Sequence, residues 1–192
     1  GFPSTLRTRP EALVSRALWN DDEADAAEVL ELAAQLGDVE LQSYALAALS
    51  YARSGAADFD RACALAGERL GLLSEISDPD HRAEMYFQAS GAYTGAARFA
   101  DARRSVALLA ETAEGLTPHH RLHAIGANVR VEAFAGRWDE VRQLSSRAEG
   151  AVEANLATPC PLNVGSLLVC ALASAQCGDE DEARRLEAKA DA

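Results

Sequence analysis

The sequence predicts an all-α fold, a right-handed solenoid of about five antiparallel helix pairs forming one domain over residues 1–192. Three observations carry this. Of 192 residues, 41 are alanine, against two isoleucines and 6% aromatics, and alanine loses least on entering a helix. Four turn segments superimpose, starting at Ala57, Ala97, Gly136 and Gly178, spaced 40, 39 and 42 residues apart. An independent set of helix-start residues, Asp38, Asp78, Thr117 and Thr158, recurs at spacings of 40, 39 and 41. Repetition at this period is the mark of stacked helical hairpins.

The elements follow in order. The first pair is expected at about 10–20 with 21–36, where Asp21-Asp22-Glu23-Ala24-Asp25-Ala26 is a weaker copy of the turn segment. The second is expected at 38–54 with 58–76, the turn being Ala57-Asp58-Phe59-Asp60-Arg61-Ala62. The third covers 79–95 and 98–115, the fourth 118–135 and 137–154, and the fifth 160–177 and 179–190. Their turns are Ala97-Arg98-Phe99-Ala100-Asp101-Ala102, Gly136-Arg137-Trp138-Asp139-Glu140-Val141 and Gly178-Asp179-Glu180-Asp181-Glu182-Ala183. Each turn leads into an acidic first helical turn, which complements the helix dipole. Asp78-Pro79, Thr117-Pro118 and Thr158-Pro159 each read as an N-cap followed by a proline at the first helical position, where no N–H is needed. Repeat boundaries are therefore about 10–36, 38–76, 78–115, 117–154 and 158–191. Core columns run in the same register: Leu46, Tyr86, Ile125 and Leu167 in the first helices, and Ala62, Ala102, Val141 and Ala183 in the second.

The turn Gly136-Arg137-Trp138-Asp139-Glu140-Val141 resembles the interhelical turn of tetratricopeptide repeats, with Gly178-Asp179-Glu180-Asp181-Glu182-Ala183 fitting it without the aromatic. The resemblance implies a tetratricopeptide-like α-α superhelix, although the unit of about 40 residues exceeds the usual 34. Helix pairs this long and rich in Ala, Leu, Glu and Arg, with the phrase around Gln35-Leu36-Gly37-Asp38, also resemble the repeat regions of large actinobacterial-type signalling ATPases, LuxR-type regulators and cyclases. That implies a sensor or scaffold segment of a larger regulator. Gly1 is not preceded by an initiator Met and the helical pattern runs almost to Ala192, so a piece of a longer polypeptide is expected. Arginine outnumbers lysine 17 to one, as a GC-rich genome would produce.

A net charge of −12 argues against a nucleic-acid partner or an anionic membrane, both of which require basic patches. No apolar run approaches the length of a transmembrane helix, and residues 1–20 lack the apolar stretch of a signal peptide. Cys63, Cys160, Cys170 and Cys177 show no framework spacing, as expected for reduced cysteines in the cytoplasm.

Candidate chemistry is sparse. Asp21, Asp22 and Asp25 form a DDxxD pattern that could hold magnesium against a diphosphate, but no facing aspartate cluster accompanies it, so it reads as a solvated helix start. His119, His120 and His123 fall in one turn, and His119 and His123 could share a face and bind a metal. No acidic or cysteine ligand lies near them in sequence, so they read as exposed polar residues, and neither a metal nor a cofactor is expected. Cys170 and Cys177 share a helix face, but Asn155–Cys177 carries no charge, and nothing there promotes a thiolate. That stretch reads as the most buried helix or one covered by a further repeat. No nucleotide or nucleophile motif is present, and the chain is expected not to be an enzyme.

Surface remains. The tetratricopeptide resemblance implies groove-facing positions at Tyr44, Tyr51, Glu84, Phe87, His123 and Arg130, where aromatics and arginine would supply binding contacts. Residues 1–96 carry 16 acids and 7 bases, whereas 97–147 carry eight arginines and six acids, a graded surface for a partner. The expected function is recognition of a protein or peptide, a neighbouring domain of the same polypeptide, or a small effector. The alternative is a stand-alone assembly protein that homodimerises through its apolar C-terminal repeat.

Overall fold

The computed structural model describes residues 23–191, and among these it holds nine α-helices and no strand. They are α1 (Glu23–Leu36), α2 (Val39–Gly55), α3 (Phe59–Leu70), α4 (Pro79–Gly95), α5 (Phe99–Ala113), α6 (Pro118–Phe134), α7 (Trp138–Asn155), α8 (Pro161–Gln176) and α9 (Glu180–Ala190). The helix expected at 10–20 lies outside the described residues, as do Asp21 and Asp22. No described helix is long and apolar enough to cross a membrane.

The aligned turn column has a backbone explanation. Ala57, Ala97, Gly136 and Gly178 all have positive φ, between 56° and 83°. Each follows a helix end at the position where a left-handed residue closes a Schellman motif. At the second pair, Asp58 N–H reaches Arg53 O at 2.9 Å and Ala57 N–H reaches Ser54 O at 3.1 Å. The same two bonds recur at the fourth pair, Arg137 to Glu132 and Gly136 to Ala133, and at the fifth, Asp179 to Ser174 and Gly178 to Ala175. The next residue then caps the following helix: Asp58 accepts from Arg61 N–H and Asp179 from Glu182 N–H.

The first-helix caps follow the expected column with two changes. Asp38 and Asp78 accept from Leu41 and Asp80 N–H. Thr117 occupies the cap position without a side-chain cap bond; its hydroxyl meets His120 Nδ1 at 2.9 Å instead. The expected cap at Thr158 is not one. Pro161 takes the first helical position and holds Cys160 extended, at φ −153° and ψ 131°, so that Cys160 becomes the N-cap of α8. Thr158 O instead accepts from the side-chain amides of Asn155 and Asn163. The second helix of pair two also stops early. Expected to reach 76, it is ended by Gly71, and residues 72–75 form tight turns.

The described residues divide into two compact units, 23–96 and 97–191. In the first, Leu46, Leu49 and Leu65 form a core with Ala26 and Ala48, and Ala62, Ala66, Ala89 and Ala92 pack where α3 meets α4. In the second, Leu122, Ile125, Val129, Val141, Val152, Leu167 and Leu186 form one cluster. Every residue of both core columns is buried. Small side chains in the second-helix column let the paired backbones close up.

The last helix buries only Ala183 and Leu186, and charge supplements this thin contact. Glu149 of α7 accepts from Arg185 at 2.5 and 3.0 Å and from Lys189, the one lysine of the chain, at 2.8 Å. The Arg185 hydrogen bond above all holds the Glu149 carboxyl at about 2, down from an ordinary 4.5.

Two outcomes follow. Alanine in the left-handed region costs about 1 kcal/mol relative to glycine, so Ala57→Gly is expected to raise stability by about 0.5–1 kcal/mol in urea unfolding, and Ala97→Gly likewise. Because the Glu149 pKa is depressed in the folded state, its stabilisation is complete above about pH 4.5 and disappears as pH falls toward about 2. With Arg185 half exposed, Glu149→Gln is expected to cost about 1–2 kcal/mol at pH 7, and the gap to the parent protein should close in urea titrations toward pH 2.

Candidate functional site

In the first unit a polar cluster sits between α2, α3 and α4, centred on Arg69. The buried stripe of α3 runs Ala62, Leu65, Ala66, and its next position is Arg69, whose side chain is fully buried. In the other pairs the residue seven beyond the small column residue is Leu109, Ala148 or Ala190. An arginine has thus replaced an apolar residue on an inward face, and buried guanidinium requires partners. Glu84 of α4 forms the ion pair, itself 41% exposed. Arg69 Nε donates to Ser43 Oγ at 3.0 Å, and Ser43 Oγ lies 2.9 Å from His81 Nε2.

Burial, followed by the charge of Arg69, lowers the His81 pKa. A neutral ring with Nε2 accepting from Ser43 satisfies both neighbours. Tyr44 stacks on His81 with centroids 4.4 Å apart, and burial, then Glu84, raises its phenol pKa. Seven residues further along α2 and α4, Gln88 Nε2 donates to Ser50 Oγ at 2.6 Å. Two polar rungs a heptad apart thus join these neighbouring first helices.

The structure therefore brings Tyr44 and Glu84 of the expected groove set together, at one end of α2 and α4. Tyr51 lies at the far end of α2, more than a third exposed, and Phe87 is half buried on α4. Arg69, His81 and Ser43 were not among the expected site residues. The departure of Arg69 from its column was the available signal. His81 and Ser43 gave none, since both are ordinary polar residues within amphipathic helices.

His123 and Arg130 belong to the second unit, half buried and two turns apart on α6. Contrary to expectation, the histidines here are not exposed polar residues. The His119 and His123 rings lie 4.3 Å apart, and His119 Nδ1 is buried with no hydrogen-bond partner among the described residues. Burial and then the charges of His119, His120 and Arg130 lower the His123 pKa to about 4. Thirty-seven residues on in sequence, Cys160 brings its Sγ to 3.6 Å from His123 Nε2. Gly126, one turn beyond His123, makes this possible. A Cβ there would stand 3.0 Å from Ser166 Oγ and 3.3 Å from a Leu162 methyl, so α6 and α8 approach closely at that point. The sequence contained both halves of this cluster but no local motif joining them.

The other sequence candidates stay apart. Asp25 is buried in the first turn of α1, while its DDxxD companions lie outside the described residues. Cys170 is buried and its thiol pKa is raised by burial, so it is no nucleophile at neutral pH. Nor is α8 the most buried helix. Val164, Leu168 and Leu172, spaced four apart on one face, are 45%, 44% and 48% exposed.

The Arg69 cluster yields a direct test. Removing the carboxylate strands a buried cation, whereas removing the guanidinium leaves Glu84 free to meet water. Glu84→Gln is expected to destabilise by about 2–3 kcal/mol and Arg69→Met by about half as much, measured by urea unfolding at pH 7.

No family model and no curated protein matches this chain. Solved structures do match. A protein of P. anserina assigned as a kinesin light chain with nearly identical TPR-like repeats aligns at 20% identity over 98% of this chain and 94% of that one, with a TM-score of 0.65. A single-substitution variant of that protein aligns at 20% identity with a TM-score of 0.67, over 99% of this chain and 94% of that one. BtubC (BKLC) from P. vanneervenii aligns at 15% identity over 98% of this chain and 73% of that one, with a TM-score of 0.67. The fold is that of a TPR-like helical repeat, as the turn and core columns indicated.

Proposed function

We propose that the chain is a non-catalytic recognition module whose α8 face docks an apolar helical segment of a protein partner or of a neighbouring domain. The observation that carries this is the stripe of Val164, Leu168 and Leu172. By the core register, Val164 corresponds to Ser43 and Leu122, and Leu168 to Gly126. Ser43 lies against His81 of the next first helix, and Gly126 lies against Ser166 and Leu162 of the next one. So α8 displays the face by which α2 receives α4 and α6 receives α8, with leucine and valine where water would favour polar groups. Helix-in-groove docking uses apolar anchors one helical turn apart, as these are.

The TPR-like fold of the matching structures supports a protein-interaction role, and the repeat pairs together would form one such domain. The composition and the resemblance to signalling ATPases, LuxR-type regulators and cyclases favour a cytoplasmic sensor or scaffold within a larger bacterial regulator. Sequencing the full gene tests that context directly, since flanking ATPase, cyclase or DNA-binding segments would be present. The groove positions Tyr44, Tyr51, Glu84, Phe87, His123 and Arg130 would contribute as secondary contacts. The same stripe also favours a second reading, pairing of two copies through α8.

Peptide display against the protein separates these readings. Selected peptides are expected to be amphipathic helices that lose about tenfold or more in affinity to a Leu168→Asp variant of unchanged melting temperature. Undiminished binding by that variant would overturn docking on α8. Pairing of copies predicts a concentration-dependent dimer in sedimentation that Leu168→Asp abolishes, and a monomer at high concentration removes it.

A further inference from the structure

The geometry points to a metal site formed by His119, His123 and Cys160, suited to a thiophilic d-block dication of the zinc class. The three side chains offer two imidazole nitrogens and one sulfur, all within 4.8 Å of one another. Zinc bonds of ~2.0–2.1 Å to nitrogen and ~2.3 Å to sulfur, at tetrahedral angles, place a nitrogen and a sulfur ligand about 3.6 Å apart. The His123 Nε2 to Cys160 Sγ distance is already 3.6 Å. Small rotations of the His119 side chain would bring the third ligand into place. Its Nδ1, buried with no hydrogen-bond partner among the described residues, is an imidazole nitrogen otherwise left unused.

The backbone fixes the donors rather than leaving them to chance. His119 and His123 stand one turn apart on the same face of α6, their rings tilted by 51°. Cys160 is held at the N-cap of α8 by Pro161, and Gly126 draws the two helices together. The donor set of two imidazoles and a thiol excludes calcium and magnesium, which take oxygen, and suits zinc or its borderline neighbours. Three protein ligands leave a fourth position for water or for a donor from a bound partner. Arg130, two turns along α6, opposes a dication, and a Cys160 thiolate offsets that charge. Bound metal would join the first turns of α6 and α8, beside the apolar stripe of α8.

Cobalt(II) titration of the full chain under reducing, anaerobic conditions tests the site. One equivalent is expected to produce a sulfur-to-cobalt charge-transfer band and the intense d–d bands of tetrahedral cobalt, both erased by adding zinc. Cys160→Ser should abolish the charge-transfer band and His119→Ala should weaken binding by more than about a hundredfold, beyond the roughly 10–100-fold effect of losing an outer hydrogen bond to a ligand. Cys177→Ser should change neither. Far-UV dichroism without metal checks that each variant folds, and if Cys160→Ser does not, His119→Ala still decides. Absence of the charge-transfer band in the parent protein would overturn the assignment. So would its persistence in Cys160→Ser, its loss in Cys177→Ser, or unchanged affinity in His119→Ala.

Discussion

Every described helix pair turns on one residue in the left-handed region. In the second, fourth and fifth pairs its N–H bonds back three residues and the N–H of the next residue bonds back five, and in every described pair that next residue takes the cap position of the following helix. Because the turn has no slack, the two helices meet in one register, and the fourth residue of the second helix must face its partner. Ala62, Ala102, Val141 and Ala183 are buried for this reason. Their small volume is a consequence of the tight turn, since larger side chains at that point would force the helices apart. Alanine at three of these four places is thus a packing requirement set by turn geometry.

This constraint explains what was legible in the sequence. The turn column aligned because four residues share one backbone conformation, and a backbone conformation leaves a periodic trace. The stacked helical pairs were therefore legible from spacing and composition, and the tetratricopeptide-like turn from its resemblance. The features that differed did so through residues outside the column: Gly71 shortened α3, and the second proline in Thr158-Pro159-Cys160-Pro161 made Cys160 rather than Thr158 the cap of α8. Both are local competitions between equally good signals, and only the packed structure decides them. Groove positions followed the register onto the first helices, but their neighbours did not. Tyr44 sits on His81 and Glu84 on Arg69 because three helices converge there, and convergence leaves no mark in any one segment.

What does leave a mark is a departure from the column. Arg69 occupies a place that is Leu109 or Ala148 elsewhere, and those two are also buried. A repeat protein offers its own internal comparison, so a polar residue on an inward face stands out without reference to any other sequence. The guanidinium at that place is tolerated because Glu84 takes Nη2 and Ser43, itself held by His81, takes Nε, while Nη1 has no hydrogen-bond partner among the described residues. In the absence of such an answer it would cost several kcal/mol. The same reasoning separates α8 from α6. Where α6 carries the closely covered Leu122 and Gly126, α8 carries the exposed Val164 and Leu168.

The two prolines before α8 connect these observations. Had Thr158-Pro159 opened the helix as Asp78-Pro79 and Thr117-Pro118 do, α8 would begin two residues earlier. Cys160 would then lie inside the first turn, with its Cβ aimed back toward the N-terminus as helical side chains are. Extended backbone at Cys160 instead turns its sulfur toward His123, while Thr158, freed from capping, has its carbonyl bound by Asn155 and Asn163. Those two amides fasten the end of α7 to the start of α8, so the displaced helix start is itself held in place. A two-residue shift in proline position therefore sets the donor geometry at Cys160, while Leu167 keeps its place in the core column.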